Sequence, residues 1–474
     1  MKSAQQLNWL KQNYEQTVSD LAALVAIPSI STDGDHQKEI GDSAALTAEQ
    51  MKAAGLQNVE VLSTGKSNPY AYGEWLGAPG KPTVFLYAHH DVQPINFVDQ
   101  WKQADPWKLT RRAGRLYGRG AADDKAAISA QLASISAYLQ TEGALPVNIK
   151  MLVEGEEEIG SANLLGFFKQ HARKIQSDVI VVNDTENVET GLPSLTYSLR
   201  GIVELLVEVE TAKIPVHSGM AGGNIPDAAI ALNVILSRLY WKNGKIPVPG
   251  LYDRVRKPTA FEKKQVKSLP YDVAKLRKAI GMVPGSVMST PKMFHPFEQE
   301  WLNPAVTVIA QEASSIRGAS NQVLPKASAI VSCRIVADQK PEEVERQLRK
   351  LLSAEPPWGA KVTVRHNNSV KWWRTETDHP AFQMAMAAMK DGYGRDAVAI
   401  GSGGSIGFVG PLSELFGGAP ALLIGIEDPH SQAHAPNESL HEGDFKKVMA
   451  SLVSLYARLG TLPVGKSGAR GGKK

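Results

Sequence analysis

Cysteine is nearly missing from this 474-residue chain: Cys333 stands alone. That excludes an internal disulfide framework and any zinc site built from several thiolates, so a metal could be held only by imidazoles and carboxylates. Long apolar runs are missing too. No stretch has the length and purity of a membrane span, and Met1–Val18 is polar where a secretory leader would be apolar. The expectation is a cytoplasmic protein with no membrane partner. Charge of one sign is also lacking. The formal net charge is +4, and Lys466, Arg470, Lys473 and Lys474 supply that much by themselves, leaving the rest of the chain near neutral. Nucleic-acid binding runs on clustered Lys and Arg, so no nucleic-acid partner is expected. The length exceeds what one hydrophobic core usually serves, and two domains are the natural expectation.

What is present is a repeated pattern. Thr83–Ala88 runs into His89-His90-Asp91, and Ile149–Val153 into Glu154-Gly155-Glu156-Glu157-Glu158. Val179–Val182 runs into Asn183-Asp184, and Ala421–Ile426 into Glu427-Asp428-Pro429-His430, with His434 beyond. Short apolar runs without alternation are how strands buried on both faces read. In open α/β sheets the ligand crevice lies outside the carboxyl ends of the strands. The pattern predicts that these ends deliver His, Asp and Glu to one crevice. Carboxylates crowded there would repel unless cations neutralise them, so a metal site is the leading expectation.

Residues 3–26 and Ala44–Ala54 read as helices, and from there to about residue 198 strands and helices alternate. Such alternation predicts a largely parallel α/β sheet. Near residue 199 the character changes. Ile202–Glu210, Ala327–Ala337 and Lys361–Arg365 read as strands. Pro226–Trp241 reads as a helix with proline in its first turn, and Pro341–Leu352 as a helix with Glu342-Glu343 early and Arg349-Lys350 late. Residues 242–300 are rich in Pro, Lys and Arg and read as a helical excursion. The expected organisation is an α/β domain in two parts, 1–198 and 375–464. A small α+β domain at 199–374 is inserted between them, and a disordered basic tail follows at 465–474.

His89 and Asp91, two apart on an extended segment, point the same way. They can be a ligand with its supporting carboxylate, or simply a polar strand end. His90 points to the other side. Gly118-Arg119-Gly120-Ala121-Ala122-Asp123-Asp124-Lys125 leads into a helix; a helix cap needs one aspartate and here there are two, while a carboxylate can bridge two metals. The loop lacks the Gly-Lys-Ser/Thr ending of a phosphate-binding loop, which argues against nucleotide binding. Glu154–Glu158 would ordinarily be a solvated charge run. Behind a buried-looking strand, Glu157 and Glu158 could divide labour, one binding metal and the other taking a proton from water. Asp184 and His434 gain weight only from their joint position at strand ends.

These residues sit in recognisable motifs. Leu86-Tyr87-Ala88-His89-His90-Asp91-Val92-Gln93-Pro94 resembles the HxDVxP motif of the M20 metallopeptidase family, and Gly118–Lys125 resembles its GRGxxDxKG. Glu154-Gly155-Glu156-Glu157-Glu158-Ile159-Gly160-Ser161 resembles its EGxEExGS, and Ala433-His434-Ala435-Pro436-Asn437-Glu438 its AHxxNE. Ile246–Asp253 looks like the lid insertion of the larger, carnosinase-like and cytosolic nonspecific dipeptidases. The resemblance implies a zinc-exopeptidase-like α/β catalytic domain with a mixed, largely parallel sheet, and an inserted α+β lid through which a homodimer forms. It implies two zinc ions per subunit, with manganese or cobalt compatible with the same ligands. Asp123 would bridge the metals, His89 and Asp184 would hold one, and Glu158 and His434 the other. Glu157 would be the general base, with Asp91 behind the ligands.

The same resemblance assigns substrate contacts. His217, in Val216-His217-Ser218-Gly219, resembles the lid histidine that family members place over the partner subunit's active site. Arg334, in Ser332-Cys333-Arg334-Ile335, resembles the arginine that binds the substrate's terminal carboxylate. Ser405, in Gly403-Gly404-Ser405-Ile406, resembles a substrate-contacting serine, and either Asn321 or Gln322 occupies a position that is Thr or Asn in relatives. Ala88 and Ala126 replace family glycines, and Ile159 stands where a small residue is common. The expected activity is metal-dependent hydrolysis of dipeptides with a free carboxylate. Its rivals are an N-acyl-amino-acid deacylase on the same fold and a catalytically silent relative, against which the complete ligand set and Glu157 count.

Overall fold

The apolar runs are neighbouring strands of one sheet. In the computed structural model, which describes residues 3–242, 244–290 and 294–463, the spatial order is Gln57–Leu62, Tyr70–Trp75, Asn148–Glu154, Thr83–His89, Val179–Val182, Ala421–Ile424 and Ser194–Leu199. From Asn148–Glu154 to Ala421–Ile424 the pairing is parallel, with His89 opposite Glu154. Both flanks pair antiparallel. The sheet is therefore mixed, with a parallel centre, as expected. Asn148–Glu154, Val179–Val182 and Ala421–Ile424 are buried along their whole length, which is why they read as unbroken apolar runs. Parallel neighbours bring their carboxyl ends to the same edge, so the residues that follow these strands meet there.

Helices hold this sheet. Lys125–Glu142 packs on the Thr83–His89 strand and against Glu442–Leu459, which packs on Pro380–Tyr393. Phe85 and Tyr87, two apart and so on one face, meet the rings of Phe168, Phe416 and Phe408. Two expected helices differ in extent. Residues 3–26 form Ala4–Gln12 and Tyr14–Val25, split at Asn13, whose side-chain amide donates to the Trp9 carbonyl at 2.9 Å. That bond competes with continued helix. The second helix begins at Gln37 rather than Ala44.

The described chain divides into two compact units. One holds the residues up to Tyr197, Thr375–Ile400 and those from Phe408 on; the other holds Ser198–Arg374 and Gly401–Gly407. The expected tail, 465–474, lies outside the described residues. The second unit is built on an antiparallel sheet in the order Ala305–Glu312, Lys326–Ile335, Gly201–Glu210, Lys361–Val370. Alternate residues of Gly201–Glu210 are buried, and Val203, Leu205 and Val207 share a core with Leu232 and Ile235 of helix Ala228–Ser237 and Leu348 and Leu352 of helix Pro341–Ser353. The expected helix Pro226–Trp241 is shorter than read, and Pro226 stands ahead of it. Asp227 is its cap, accepting the Ile230 N–H at 3.0 Å and also the Leu324 N–H at 3.0 Å. The edge strand Ala305–Glu312 escaped the sequence reading; most of it is exposed, so no one-sided burial marks its composition. Among the described residues no helix is long and apolar enough to cross a membrane.

Candidate metal centre

Asp123 stands at the centre of the strand-end cluster, just ahead of helix Lys125–Glu142. Its Oδ1 lies 3.0 Å from His89 Nε2 and its Oδ2 3.0 Å from His434 Nε2. His434 Nε2 also lies 3.1 Å from Glu158 Oε2, and His89 Nε2 lies 3.9 Å from Asp184 Oδ1. One carboxylate thus divides its oxygens between two imidazoles, each of which faces a further carboxylate. Asp123, Glu158 and His434 form one group whose ligand atoms lie within 4.8 Å of one another, and His89, Asp124 and Asp184 form a second.

Local structure sets these positions. The peptide N–H groups of Gly120, Ala122 and Asp123 all donate to the Glu438 carboxylate, which is paired with the buried Arg119. Asp91 accepts the N–H of Glu157 at 3.2 Å, that of Glu158 at 3.1 Å and the Ser31 hydroxyl at 2.6 Å, and faces Nδ1 of His89 at 3.4 Å. Gln93 donates to Glu158 Oε2 at 2.8 Å. Gly155 begins the turn to these glutamates. A Cβ there would lie 2.6 Å from the Pro69 carbonyl and 2.9 Å from the His90 ring. His90 itself is turned away to the Pro69 carbonyl, at 2.9 Å. His434 adopts φ +62, a left-handed conformation uncommon outside glycine and costly enough to need support from its surroundings.

The electrostatics fit cations. Burial, reinforced by Asp184, holds Glu157 well above the usual carboxylate range. Burial pushes Asp184 up to about 7, with Asp123 adding to it against the pull of His89. Burial alone would raise Asp123 as well, but His434 and His89 hold it well below its ordinary value. His434 is pushed up to about 10 by Asp123 and Glu158. For His89 burial opposes the charge, yet Asp123 and Asp91 win and its pKa lies well above that of a free imidazole. Asp124 is fully buried; one oxygen takes the His89 N–H at 3.2 Å, and the other has no hydrogen-bond partner among the described residues. Left to itself the cluster is reconciled only by protons; a pair of divalent cations would neutralise the carboxylates and take the imidazole lone pairs.

The arrangement has known counterparts. The family model for peptidase family M20/M25/M40 matches residues 85–458. The chain belongs to this family. It is 31% identical over 450 residues to the cysteinylglycine-S-conjugate dipeptidase of Corynebacterium striatum, spanning 94% of this chain and 96% of the relative. The solved structure of the dipeptidase Dug1p from Saccharomyces cerevisiae superposes with a TM-score of 0.84 at 25% identity, over 98% of this chain and 100% of that one. Human carnosine dipeptidase 1 superposes with a TM-score of 0.82 at 25% identity, over 96% of this chain and 98% of that one.

In this M20-family chain the remaining residues singled out from the sequence fall in the second unit. Arg334 donates to the Ser405 hydroxyl at 3.1 Å, and Ser405 donates to the Arg200 carbonyl at 2.5 Å. The structure therefore brings Arg334 and Ser405 together, with Arg334 only half-buried and its charge available. His217 is exposed; its Nδ1 accepts the Gly219 N–H at 3.1 Å, and it pairs with Gln322 across a two-stranded ribbon. The Asn321 carbonyl accepts the Ser218 N–H at 2.9 Å. Of the three departures from the motifs, Ala88 and Ala126, read as replacing glycines, are fully buried, whereas Ile159, read as replacing a small residue, is exposed. Two acidic residues of the cluster, Asp124 and Glu427, received no role from the sequence. The doubled aspartate and the acidic end of the Ala421–Ile426 run were the signals available.

Proposed function

We propose that the protein is a dinuclear metallodipeptidase, a hydrolase of dipeptides with a free carboxylate. The observation that carries this reading is the division of Asp123 between His89 and His434 at 3.0 Å each, the arrangement a carboxylate bridging two metals requires. His89 and Asp184 would hold one ion, Glu158 and His434 the other, and zinc is the proposed metal, since this nitrogen and oxygen donor set suits it. When bound, the cations supply Lewis acidity to the scissile carbonyl and make water acidic enough to lose a proton near neutral pH. Glu157, held well above the usual carboxylate range by burial and Asp184, takes that proton and returns it to the leaving amine. Arg334 and Ser405 take the substrate's carboxylate, for which a guanidinium offers paired donors. His217 works across a homodimer, polarising the carbonyl bound by the other subunit.

The dimer reading rests on the second unit. Ile309 in the edge strand is 54% exposed, and Ile230 and Val234 on helix Ala228–Ser237 are 53% and 45% exposed. Gln311 donates to Asn233 at 2.8 Å, so these apolar residues lie on adjoining elements beside an unpaired strand edge, which a second copy would cover. A cytoplasmic enzyme is proposed, consistent with a single free, buried cysteine.

The test is hydrolysis of a mixed dipeptide panel with N-acetyl amino acids alongside, by purified protein that has been chelated and then resupplied with zinc or manganese. Metal-restored cleavage of dipeptides is the expected result. Restoration on the acylated compounds alone would make it a deacylase, and elemental analysis of the purified protein identifies the metal.

A further inference from the structure

Glu427 is an acidic residue of the cluster with no part in the scheme above. Its carboxylate lies within 4.8 Å of ligand oxygens of Asp123 and Asp184. The backbone locks it there: Ile426 donates to the Thr185 carbonyl at 2.9 Å, Asn187 donates to the Glu427 carbonyl at 2.9 Å, and Glu427 forms a parallel bridge with Glu186. The loop that carries Asp184 and the segment that carries Glu427 are thus fastened side by side. Yet among the described residues the Glu427 side chain makes no hydrogen bond or ion pair, and it is partly exposed whereas Asp123 is buried. Thr185 and Asn187 make their hydrogen bonds to the backbone of this segment.

We propose that Glu427 is the receptor for the substrate's α-ammonium group. This rests on the dipeptidase reading. In a dipeptide the ammonium is separated from the scissile carbonyl by a single Cα, so its receptor must stand beside the metal-holding residues, as Glu427 does. Asp123, Asp184 and Glu158 would be engaged as ligands, Glu157 would carry the proton, and Asp124 is fully buried beneath the His89 N–H, which leaves Glu427 as the partly exposed carboxylate able to meet a cation. The group it forms with Asp123 and Asp184 contains no imidazole and shares both aspartates with the metal positions. It is therefore poorly suited to a metal of its own and well suited to a hydrogen-bonding ammonium, which takes several carboxylate oxygens at once. The residue would select a free amino terminus over an acylated or missing one.

The experiment compares wild type with Glu427→Gln on a dipeptide and on the same compound with its α-amino group replaced by hydrogen, with metal content measured on both proteins. The inhibition constant of the second compound replaces its kcat/KM if its turnover is too slow to follow. The expected result is a fall of about 30-fold in kcat/KM for the dipeptide, within the range of a lost charge-assisted hydrogen bond, mainly through KM. The desamino compound is unchanged, metal content equals wild type, and Glu427→Asp recovers part of the loss. Equal losses on both compounds, or a lower metal content, overturn the proposal while leaving the dipeptidase reading intact. A wild type that cleaves no dipeptide after metal is restored overturns the dipeptidase reading and this inference with it. Should Glu427→Gln melt below wild type, Glu427→Asp, which keeps the charge and shortens its reach, is expected to show a smaller loss confined to the dipeptide, and equal losses on both compounds overturn the proposal.

Discussion

The Asp91 carboxylate accepts the backbone N–H groups of Glu157 and Glu158 and faces His89 Nδ1, so one side chain positions the proposed base and two proposed ligands. Asp91→Asn replaces one of its acceptor oxygens with a donor facing other donors. It is expected to weaken metal affinity about 10- to 100-fold, as loss of a partner behind metal ligands does, read by titration with a competing chelator. Glu157→Gln should behave differently. It is expected to lower kcat by about 10²- to 10⁴-fold with metal content unchanged, because it removes a proton carrier and not a ligand. Loss of metal with Glu157→Gln would exchange the roles of Glu157 and Glu158. The meeting of His89, Asp123, Glu158, Asp184 and His434 was legible because nearly all stand at the ends of buried strands or the start of a buried helix. Glu427 stood in one of the same runs, but only the bridge to Glu186 reveals which way that segment is fastened. The pairing of Arg334 with Ser405 joins residues far apart in the chain, and nothing in local spacing announces it.

At the scale of elements, full burial made the sequence readable and exposure hid it. The parallel strands left unbroken apolar runs, and the alternation of Gly201–Glu210 survives because one face covers a core. Ala305–Glu312 left no such imprint. Helix ends were displaced where a side chain intervened, as Asn13 and Asp227 do. Asp227 serves two donors, the Ile230 and Leu324 N–H groups. Asp227→Ala is expected to cost the second unit about 1–2 kcal/mol, measured as a fall in its denaturant midpoint. The exposed edge makes its own prediction. Ile309→Lys combined with Val234→Lys should convert a dimer to a monomer by sedimentation. If His217 works across that interface, inactive His217→Ala and Glu157→Gln proteins should regain activity on mixing.

At the scale of the whole molecule, every proposed ligand lies in one of the two units. A protein of several units need not unfold in one step, and a bound metal stabilises the part that binds it. Chelation should therefore lower one thermal transition and leave the other in place. The size of that shift depends on pH. His434, pushed up to about 10 from 6.5, and Asp184, pushed up to about 7 from 3.8, bind more protons in the metal-free fold than in the unfolded chain. Their contribution is fully present below the unfolded values and is lost as pH rises through the folded ones. Metal binding requires the same groups deprotonated, so the gap in melting temperature between metal-loaded and chelated protein should widen from about pH 5 to pH 8. A gap that narrows over this range would mean that the proposed ligands do not bind the metal. The strand order carries a consequence for biosynthesis. Val179–Val182 and Ser194–Leu199 follow one another along the chain, yet Ala421–Ile424 lies between them in the sheet. Until the ribosome has released that late segment, a fully apolar strand has an open edge, and His434 has not yet joined His89 and Asp123. The second unit has all its strands by then and can fold first. The nascent first unit must wait with its centre unfilled, the interval in which a chaperone would be needed and a truncated chain would aggregate.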